Sequence, residues 1–356
     1  MNGMMKRILM IAVVAALPAC ATGTAEPGAS AGNVPAPTGD VRTGTAAQTA
    51  AGTITAAEMR EHVAYLASDA LRGRDTPSPG LDSAAAYLAR EFARLGLQGG
   101  VEGGSFIQTY PLRPRNRMAP NVVAVFPGAD PTLRNEYVVL SAHMDHVGVG
   151  RPVRGDSIYN GADDDASGTS ALLEVAEAFA SMPQRPARSI LFLAVSGEEK
   201  GLLGSAYFSD HPTVPIGSIV ANVNMDMIGR NTRDTVAVIG KDYSSLGEVV
   251  QRVAAENRAL VGLVAGDDIW PRERFFTRSD HFNFARKEIP AIFFFAGPHE
   301  DYHEPSDEVE RLDVDKAARV TRLIFLTTHA IATDPQRPQW TAAGLREVRR
   351  VTGGGR

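Results

Sequence analysis

The hydrophobic residues of this chain change their periodicity after Gly96. Before it, apolar residues recur every three or four positions, as on one face of a helix. Thr55 and Glu58 have capping-box spacing ahead of the first such stretch, and Gly96 lies where the second would end. Beyond Gly96, short continuous apolar runs alternate with helical patterns. The pattern therefore predicts two helices followed by an α/β region.

The α/β region contains predicted strands that are mostly apolar on both faces, which is typical of strands covered by helices on both sides. The predicted strands are 121–126, 137–141, 189–195, 219–224, 235–239 and 291–295. The clearest helices in this region are 167–179, 246–258 and 313–331. We expect an α/β fold: a three-layer α/β/α sandwich around a mostly parallel, mixed and twisted sheet.

The amino-terminal segment has the pattern of an export signal. Lys6 and Arg7 precede an apolar run too short to span a bilayer, so we expect residues 1–19 to be a signal peptide. Leu17 to Cys20 resembles the lipobox of bacterial lipoproteins, in which the cysteine carries the lipid. Ordinary cleavage near Ala19 or Ala21 is the alternative. We expect an exported protein, anchored by lipid and facing the periplasm, or otherwise periplasmic or secreted.

Composition predicts the remaining boundaries. Residues 20–52 are rich in Ala, Thr, Gly and Pro, as in a flexible tether, and 334–356 is expected to be a poorly ordered tail, which leaves 53–333 as the folded domain. The net charge is −5 and no basic stripe is present, so a nucleic-acid partner is not expected. A membrane contact is expected only through a lipid on Cys20. The pattern leaves the oligomeric state open.

Side chains of the kinds that bind metal ions follow the predicted strands, where functional groups gather in α/β sheets. They are His143, Asp164, Glu199, Asp226 and His303. Two divalent ions would be neutralised by the three carboxylates and one bridging hydroxide. Zinc accepts this mixture of imidazole and carboxylate ligands. We therefore predict two zinc ions per chain and a hydrolytic reaction.

Three neighbouring residues suggest further roles. Asp145 lies two positions after His143, so its carboxylate could orient the His143 ring. We interpret His146, in the same segment, as a structural residue. Glu198 and Glu199 directly follow a strand, and one of them can reach the metal while the other faces the bound water. Tyr302 could donate a hydrogen bond to developing negative charge.

Five segments, in this order, resemble those of the co-catalytic zinc exopeptidases: SAHMDHVG, NGADDDASG, VSGEEKGLLGS, NMDMIG and DYHEPSD. That family includes bacterial leucyl aminopeptidases, glutamate carboxypeptidases and, more distantly, glutaminyl cyclases. The resemblance implies that His143 and Asp226 hold one zinc ion. It implies that Glu199 and His303 hold the other, and that Asp164 bridges both.

The resemblance runs from about Thr55 to Thr333 and implies roles for the neighbouring residues. Glu198 would be the general base for a hydroxide that bridges the two ions. Tyr302 would stabilise the tetrahedral intermediate. A non-proline cis peptide is expected after Asp164. The interval 100–119 is too short for the inserted domain of larger relatives.

The expected activity is that of an aminopeptidase acting on peptides, because compact members of the family mostly have it. A carboxypeptidase or dipeptidase is the alternative, and it would need cations for a substrate carboxylate. The candidate cations are Arg272, Arg274 and Arg278. The same loop carries aromatic residues that would form an apolar specificity pocket or pack in the core, namely Trp270, Phe275 and Phe276.

Two further readings remain open: a non-catalytic relative, and a cyclase that works with one zinc ion. Both usually lack part of the ligand set, whereas all five predicted ligands and Glu198 are present here. Ser279, Asp280 and His281 lie in a segment that is often near the substrate cleft in this family, and the pattern assigns them no role.

Overall fold

The protein is described by a computed structural model over residues 44–113 and 117–353. The predicted signal peptide, Cys20 and most of the predicted tether lie outside these residues. The helices are α1 Thr45–Ala51, α2 Ala56–Leu66, α3 Pro79–Arg94, α4 Gly168–Ser181, α5 Leu203–Asp210, α6 Leu246–Glu256, α7 Arg258–Val261, α8 His281–Ala285, α9 Val314–Thr333 and α10 Ala342–Val351.

The strands are β1 Gln98–Gly99, β2 Ile107–Leu112, β3 Arg117–Phe126, β4 Tyr137–His143, β5 Gly148–Val153, β6 Asp156–Tyr159, β7 Ser189–Val195, β8 Ile219–Met225, β9 Thr235–Ile239, β10 Val264–Gly266 and β11 Ala291–Phe295. Each predicted strand coincides with one of these or lies within it. The predicted helices correspond to α2, α3, α4, α6 and α9. Thr55 caps α2 as expected, since its Oγ1 accepts from Glu58 N at 3.2 Å.

Nine strands form one sheet in the order β1-β3-β7-β4-β8-β11-β9-β10, with β2 paired to β3. The central strands β7, β4, β8 and β11 are parallel neighbours. β3 is antiparallel to β7, and β9 is antiparallel to β11. β5 and β6 form a separate hairpin. The expectation of a mostly parallel mixed sheet is confirmed.

Helices cover both faces of this sheet, which explains the continuous apolar runs. In β7, Ile190 and Phe192 join the core that contains residues of α4 and α9. Leu191 and Leu193 point to the opposite core, which contains Phe208 of α5 and residues of α8. Since alternate side chains of a strand point to opposite faces, a strand buried on both faces is apolar at every position.

The amino-terminal boundary of the ordered region was predicted wrongly. The tether was expected to reach residue 52, but Thr45–Ala51 forms α1, and its Ala47, Ala50 and Ala51 are buried in the core beside α4 and α9. Alanine is a strong helix former that packs closely without large side chains. A segment poor in large apolar residues can therefore still pack into the core as a helix.

The carboxy-terminal boundary was also predicted wrongly, because residues after Asp334 include α10 instead of a poorly ordered tail. Thr341 caps this helix by accepting from Gly344 N at 2.9 Å, and Val348 is buried. The indole Nε1 of Trp340 donates to Glu288 O at 2.7 Å. These tertiary contacts outweigh the polar composition of the segment. Within the described ranges, no helix combines the length and apolar character needed to cross a membrane.

Candidate metal centre

The predicted metal ligands meet at the carboxyl edge of the central parallel strands. His143 is the last residue of β4, and Asp226 directly follows β8. Glu199 follows β7, and His303 lies in the loop after β11. Neighbouring parallel strands end at the same edge, so residues far apart in the chain become neighbours there. The structure brings all five predicted ligands together.

Asp164 divides these ligands into two sets. Its Oδ1 lies 3.2 Å from His143 Nε2, which is also 3.5 Å from Asp226 Oδ1. Its Oδ2 lies 3.1 Å from His303 Nε2, which is 2.9 Å from Glu199 Oε2. Each carboxylate oxygen of Asp164 therefore faces its own pair of side chains, an arrangement suited to bridging two cations.

The segment Ala162–Ser167, ahead of α4, presents Asp164 through its two neighbours. Asp163 Oδ1 accepts from Gly229 N at 2.7 Å, and Asp165 Oδ1 accepts from Gly168 N at 2.9 Å. The peptide between Asp164 and Asp165 is cis, as expected. A Cβ on Gly168 would lie 2.4 Å from Asp165 Oδ1, so this approach requires glycine. All three aspartates are buried and positioned by the protein, unlike a solvated helix start.

The donor atoms of the cluster fit a metal ion. Buried polar atoms normally have hydrogen-bond partners. Among the residues that the structure describes, several buried atoms able to bind metal converge without such a partner, namely His143 Nε2, Asp164 Oδ2, Glu199 Oε1 and His303 Nε2. The groups His143, Asp164, Asp226 and His146, Asp164, Glu199, His303 each have ligand atoms within 4.8 Å of one another. Imidazole and carboxylate donors of this kind are typical zinc ligands.

The electrostatics of the cluster favour positive charge. Burial alone would lower the pKa of the His143 imidazole, but the charges of Asp226 and Glu198 and the contacts with Asp145 and Asp164 raise it well above its usual range. Burial likewise opposes protonation of His303, yet its close contacts with the carboxylates of Asp164 and Glu199 raise its pKa to about 10. A cation would replace these ring protons, so we expect metal uptake to release protons.

Glu198 and Tyr302 lie beside the predicted ligands, lining the same cavity as Asp164 and Asp226. Burial raises the pKa of Glu198 well above its usual range, an effect that Asp226, Asp280 and Glu199 reinforce. Burial also raises the pKa of Tyr302, whose ring stacks on that of His303 at 3.9 Å. The phenol therefore keeps its proton and remains a hydrogen-bond donor.

Asp145 contacts the ring of His143 through two different oxygens. Its carbonyl O lies 3.2 Å from His143 Nδ1, whereas its carboxylate Oδ1 is 3.7 Å away. The carboxylate accepts from Thr76 Oγ1 at 2.9 Å and from Glu198 N at 3.3 Å. Asp145 thus connects His143 with the segment that carries Glu198, and its main-chain oxygen is the one nearer the ring.

Several residues of the centre were missed or left without a role. His146 is fully buried in the cluster, with Nδ1 2.9 Å from Glu199 Oε1. Ser279 Oγ donates to Asp226 Oδ2 at 2.8 Å. The guanidinium of Arg74 is buried and donates to the main-chain carbonyls of Met144 and Gly161. The sequence shows a second histidine three positions after His143, which could have suggested a further ligand. The contacts of Ser279 and Arg74 depend on tertiary structure.

Asp280 and His281 lie behind the centre in different surroundings. Asp280 accepts from Ser205 Oγ at 2.5 Å, and burial raises its pKa to about 7. The imidazole of His281 packs against Phe276 and Phe293, and burial lowers its pKa to about 3. His281 is therefore a neutral core residue.

An apolar cavity of about 270 Å³ opens beside Asp164 and Glu198. Its remaining lining is Asp226, Met227, Trp270, Glu273, Phe275, Arg278, Phe293, Phe295, Pro298 and Tyr302. Of the predicted pocket aromatics, Trp270 and Phe275 line it, whereas Phe276 packs behind. Of the predicted cations, only Arg278 reaches it, and Arg278 pairs with Glu273 at 3.4 Å and stacks over Phe275 at 4.7 Å.

The known proteins that this chain resembles include peptidases. The profile of peptidase family M28 matches residues 121–328, more than half of the chain. A probable zinc metalloprotease of Pyricularia oryzae is 29% identical over 259 residues, covering 60% of this chain and 50% of that protein. Aminopeptidase YwaD of Bacillus subtilis is 26% identical over 216 residues, covering 57% of this chain and 43% of that protein. The chain spans about half the length of these relatives.

A solved structure shows the same fold. LapB from Legionella pneumophila superposes with a TM-score of 0.64 at 23% identity, covering 82% of this chain and 76% of that one. At this identity the likeness concerns the fold alone.

Proposed function

The chain belongs to peptidase family M28, a family of zinc metallopeptidases, and from this premise we propose that it is an aminopeptidase that removes residues from the free amino end of peptides. The observation that carries the proposal is the division of donors around Asp164, whose two oxygens face two different sets. The names of the relatives, a zinc metalloprotease and an aminopeptidase, support the metal and the reaction.

In this proposal the centre holds two zinc ions. His143 and Asp226 would hold one, Glu199 and His303 the other, and Asp164 both. When bound, the ions lower the pKa of a coordinated water and polarise the scissile carbonyl. The other steps belong to side chains of the protein.

Glu198 serves as the general base and then as the general acid. It lies at the centre without being needed as a ligand, and its environment favours taking up a proton. It accepts a proton from the attacking water and delivers it to the leaving amine. Tyr302 donates a hydrogen bond to the developing oxyanion. Asp145 acts through His143 by holding its ring.

The cavity supports an aminopeptidase acting on apolar side chains. Its wall is formed largely by Met227, Trp270, Phe275 and Phe295, which suit a hydrophobic group. A carboxypeptidase needs a free cation for the substrate carboxylate. Arg278, the predicted cation that reaches the cavity, is paired with Glu273. This pairing disfavours the alternative activity.

The test is to compare hydrolysis of Leu-Ala and N-acetyl-Leu-Ala by the zinc-loaded protein, with a chelated sample as control. We expect cleavage only of the dipeptide with a free amine, and none after chelation. Preferred cleavage of the acetylated dipeptide would favour a carboxypeptidase. Elemental analysis adds a second criterion, because one zinc ion per chain instead of two would favour a cyclase.

We further propose that the protein is exported and carries lipid on Cys20. The support is the charged and apolar pattern of residues 1–19 and the lipobox-like sequence that ends at Cys20. Labelling of cells with palmitate should mark the protein, and Cys20→Ser should abolish the label. Equal labelling of both forms would contradict the proposal.

A further inference from the structure

His146 is a buried imidazole on the Glu199 side of the cluster. Its Nδ1 lies 2.9 Å from Glu199 Oε1 and 3.6 Å from Asp164 Oδ2. Its ring meets the ring of His303 edge-on, with centroids 5.5 Å apart. The side chain is 0% exposed, and neither ring nitrogen makes a well-formed hydrogen bond with the described residues. A buried polar side chain left in this condition is costly unless something binds it.

We propose that His146 Nδ1 is a further nitrogen ligand of the metal centre, binding the zinc ion that Glu199 and His303 hold. The inference rests on the proposed metal centre and adds a donor to it. His146 reaches the cluster from the segment that follows β4. Its main-chain N lies 3.4 Å from Arg74 O. Because a neutral imidazole adds no charge, the charge balance of the centre is unchanged.

The added donor makes the two metal sites unequal. One site has His146, Glu199, His303 and the shared Asp164, which fill the four positions that zinc prefers. The other has His143, Asp226 and the shared Asp164, which leave a position open. Zinc sites with four protein ligands are typically structural, and sites with three keep a place for water or substrate. Zinc should therefore leave the His143 site before the His146 site.

A different reading is that His146 only orients Glu199 through a hydrogen bond. His146→Gln separates the two readings, because an amide can still donate to Glu199 Oε1 but is a poor zinc ligand. His281→Ala is a matched control, since it also removes a fully buried imidazole, one that packs against Phe276 and Phe293 instead of carboxylates.

The first measurement is the zinc affinity of each site, by titration of the whole chain with a competing chelator. Loss of a residue that merely orients a ligand costs about 10–100-fold in metal affinity. We expect His146→Ala and His146→Gln to weaken one of two sites by more than about 100-fold, beyond that range. His281→Ala should retain both affinities. Wild-type affinity in His146→Gln would overturn the inference.

The second measurement is spectroscopic and does not depend on activity. In the cobalt-loaded protein, His146→Cys should produce a thiolate-to-cobalt charge-transfer band. The cysteine sulfur can take the place of Nδ1. It lies one bond nearer the backbone, but its bond to zinc is longer, about 2.3 Å against about 2.0–2.1 Å for nitrogen. His281→Cys and wild type, whose only cysteine is Cys20, should lack the band.

The outcomes separate the two proposals. If His146→Cys shows no such band while wild type binds two cobalt ions, the His146 assignment is wrong and the metal centre remains. If wild type binds no divalent ion with a defined stoichiometry, the metal centre itself is wrong, and the His146 assignment is wrong with it.

Discussion

The metal centre and the wall of the adjoining cavity are neighbours, but they are built differently. Most donors of the centre lie at or after the ends of buried strands, and hydrogen bonds hold them or their neighbours, such as Ser279 Oγ to Asp226 and Gly229 N to Asp163, the residue before Asp164. The outer part of the cavity wall comes from the connection between β10 and α8. Its Glu273 and Arg278 side chains are 57% and 44% exposed.

This difference in construction indicates that the two regions have different functions. Groups that act on the reacting bond need a rigid support, whereas groups that select a substrate can lie on a loop. Changes at the centre should lower turnover for every substrate. Changes at the wall should alter the preference among substrates. Metal removal and single substitutions in each region test this division.

Removal of the metal should have the largest effect. After dialysis against a chelator, hydrolysis of Leu-p-nitroanilide should fall below detection, because without the ions nothing lowers the pKa of the water from which Glu198 takes a proton. Addition of zinc should restore it. Full activity in protein shown to be free of metal by elemental analysis would remove the centre from the mechanism.

Glu198→Gln should leave zinc content unchanged and lower kcat by about 10²–10⁴-fold, the usual contribution of a general base. The amide has nearly the same shape but cannot accept the proton. Elemental analysis alongside the kinetics distinguishes this from loss of metal. A variant with normal kcat would reject the role of Glu198.

Tyr302→Phe should lower kcat by up to about 10²–10³-fold, as for loss of one donor to an oxyanion. The ring and its stacking on His303 are retained, so KM should change little. An unchanged kcat would mean that the phenol does not contact the reacting carbonyl.

Trp270→Ala should affect substrates unequally. In an apolar pocket, each methylene group of the substrate contributes about 1–3 kcal/mol to discrimination between substrates. This corresponds to about 10–200-fold in kcat/KM. We expect kcat/KM for leucyl substrates to fall within this range and kcat/KM for alanyl substrates to change less. Trp340→Ala is the control, since Trp340 is also half-buried but lies against Glu288. Equal losses for both substrates would place Trp270 in the chemistry instead of in selection.

Arg278→Ala should have the smallest effect, because partly exposed ion pairs contribute about 0–1 kcal/mol, which corresponds to about fivefold at most. Peptides with free and amidated carboxyl ends should respond alike. A selective loss for the free carboxylate would show that Arg278 binds it, and the carboxypeptidase alternative would regain support.

Local pattern was sufficient for much of the fold. Apolar runs such as 189–195 form strands because both faces are covered, and the capping residues Thr55 and Asp313 begin helices where local hydrogen bonding allows. The predicted boundaries of the folded domain are wrong because α1 and α10 depend on partners. Alanines that pack against α9, and Trp340 against Glu288, have no signal within their own segments.

The five candidate ligands and Glu198 remain predictions, but they can be chosen from the sequence because each lies in a recognisable segment, and the structure brings them together. For His146 the pattern favours a structural role, because a single histidine next to a strand is ordinarily structural. Its burial beside Glu199, without a well-formed hydrogen bond, is a property of the assembled loops.

The elements and the chemical types present can be predicted from the sequence, because helix caps, apolar periodicity and side-chain groups are local properties. Tertiary structure is needed to know which donors share an oxygen of Asp164, which arginine reaches the cavity, and where His146 lies. These are distances between residues far apart in the chain, and they depend on the order and direction of strands in the sheet.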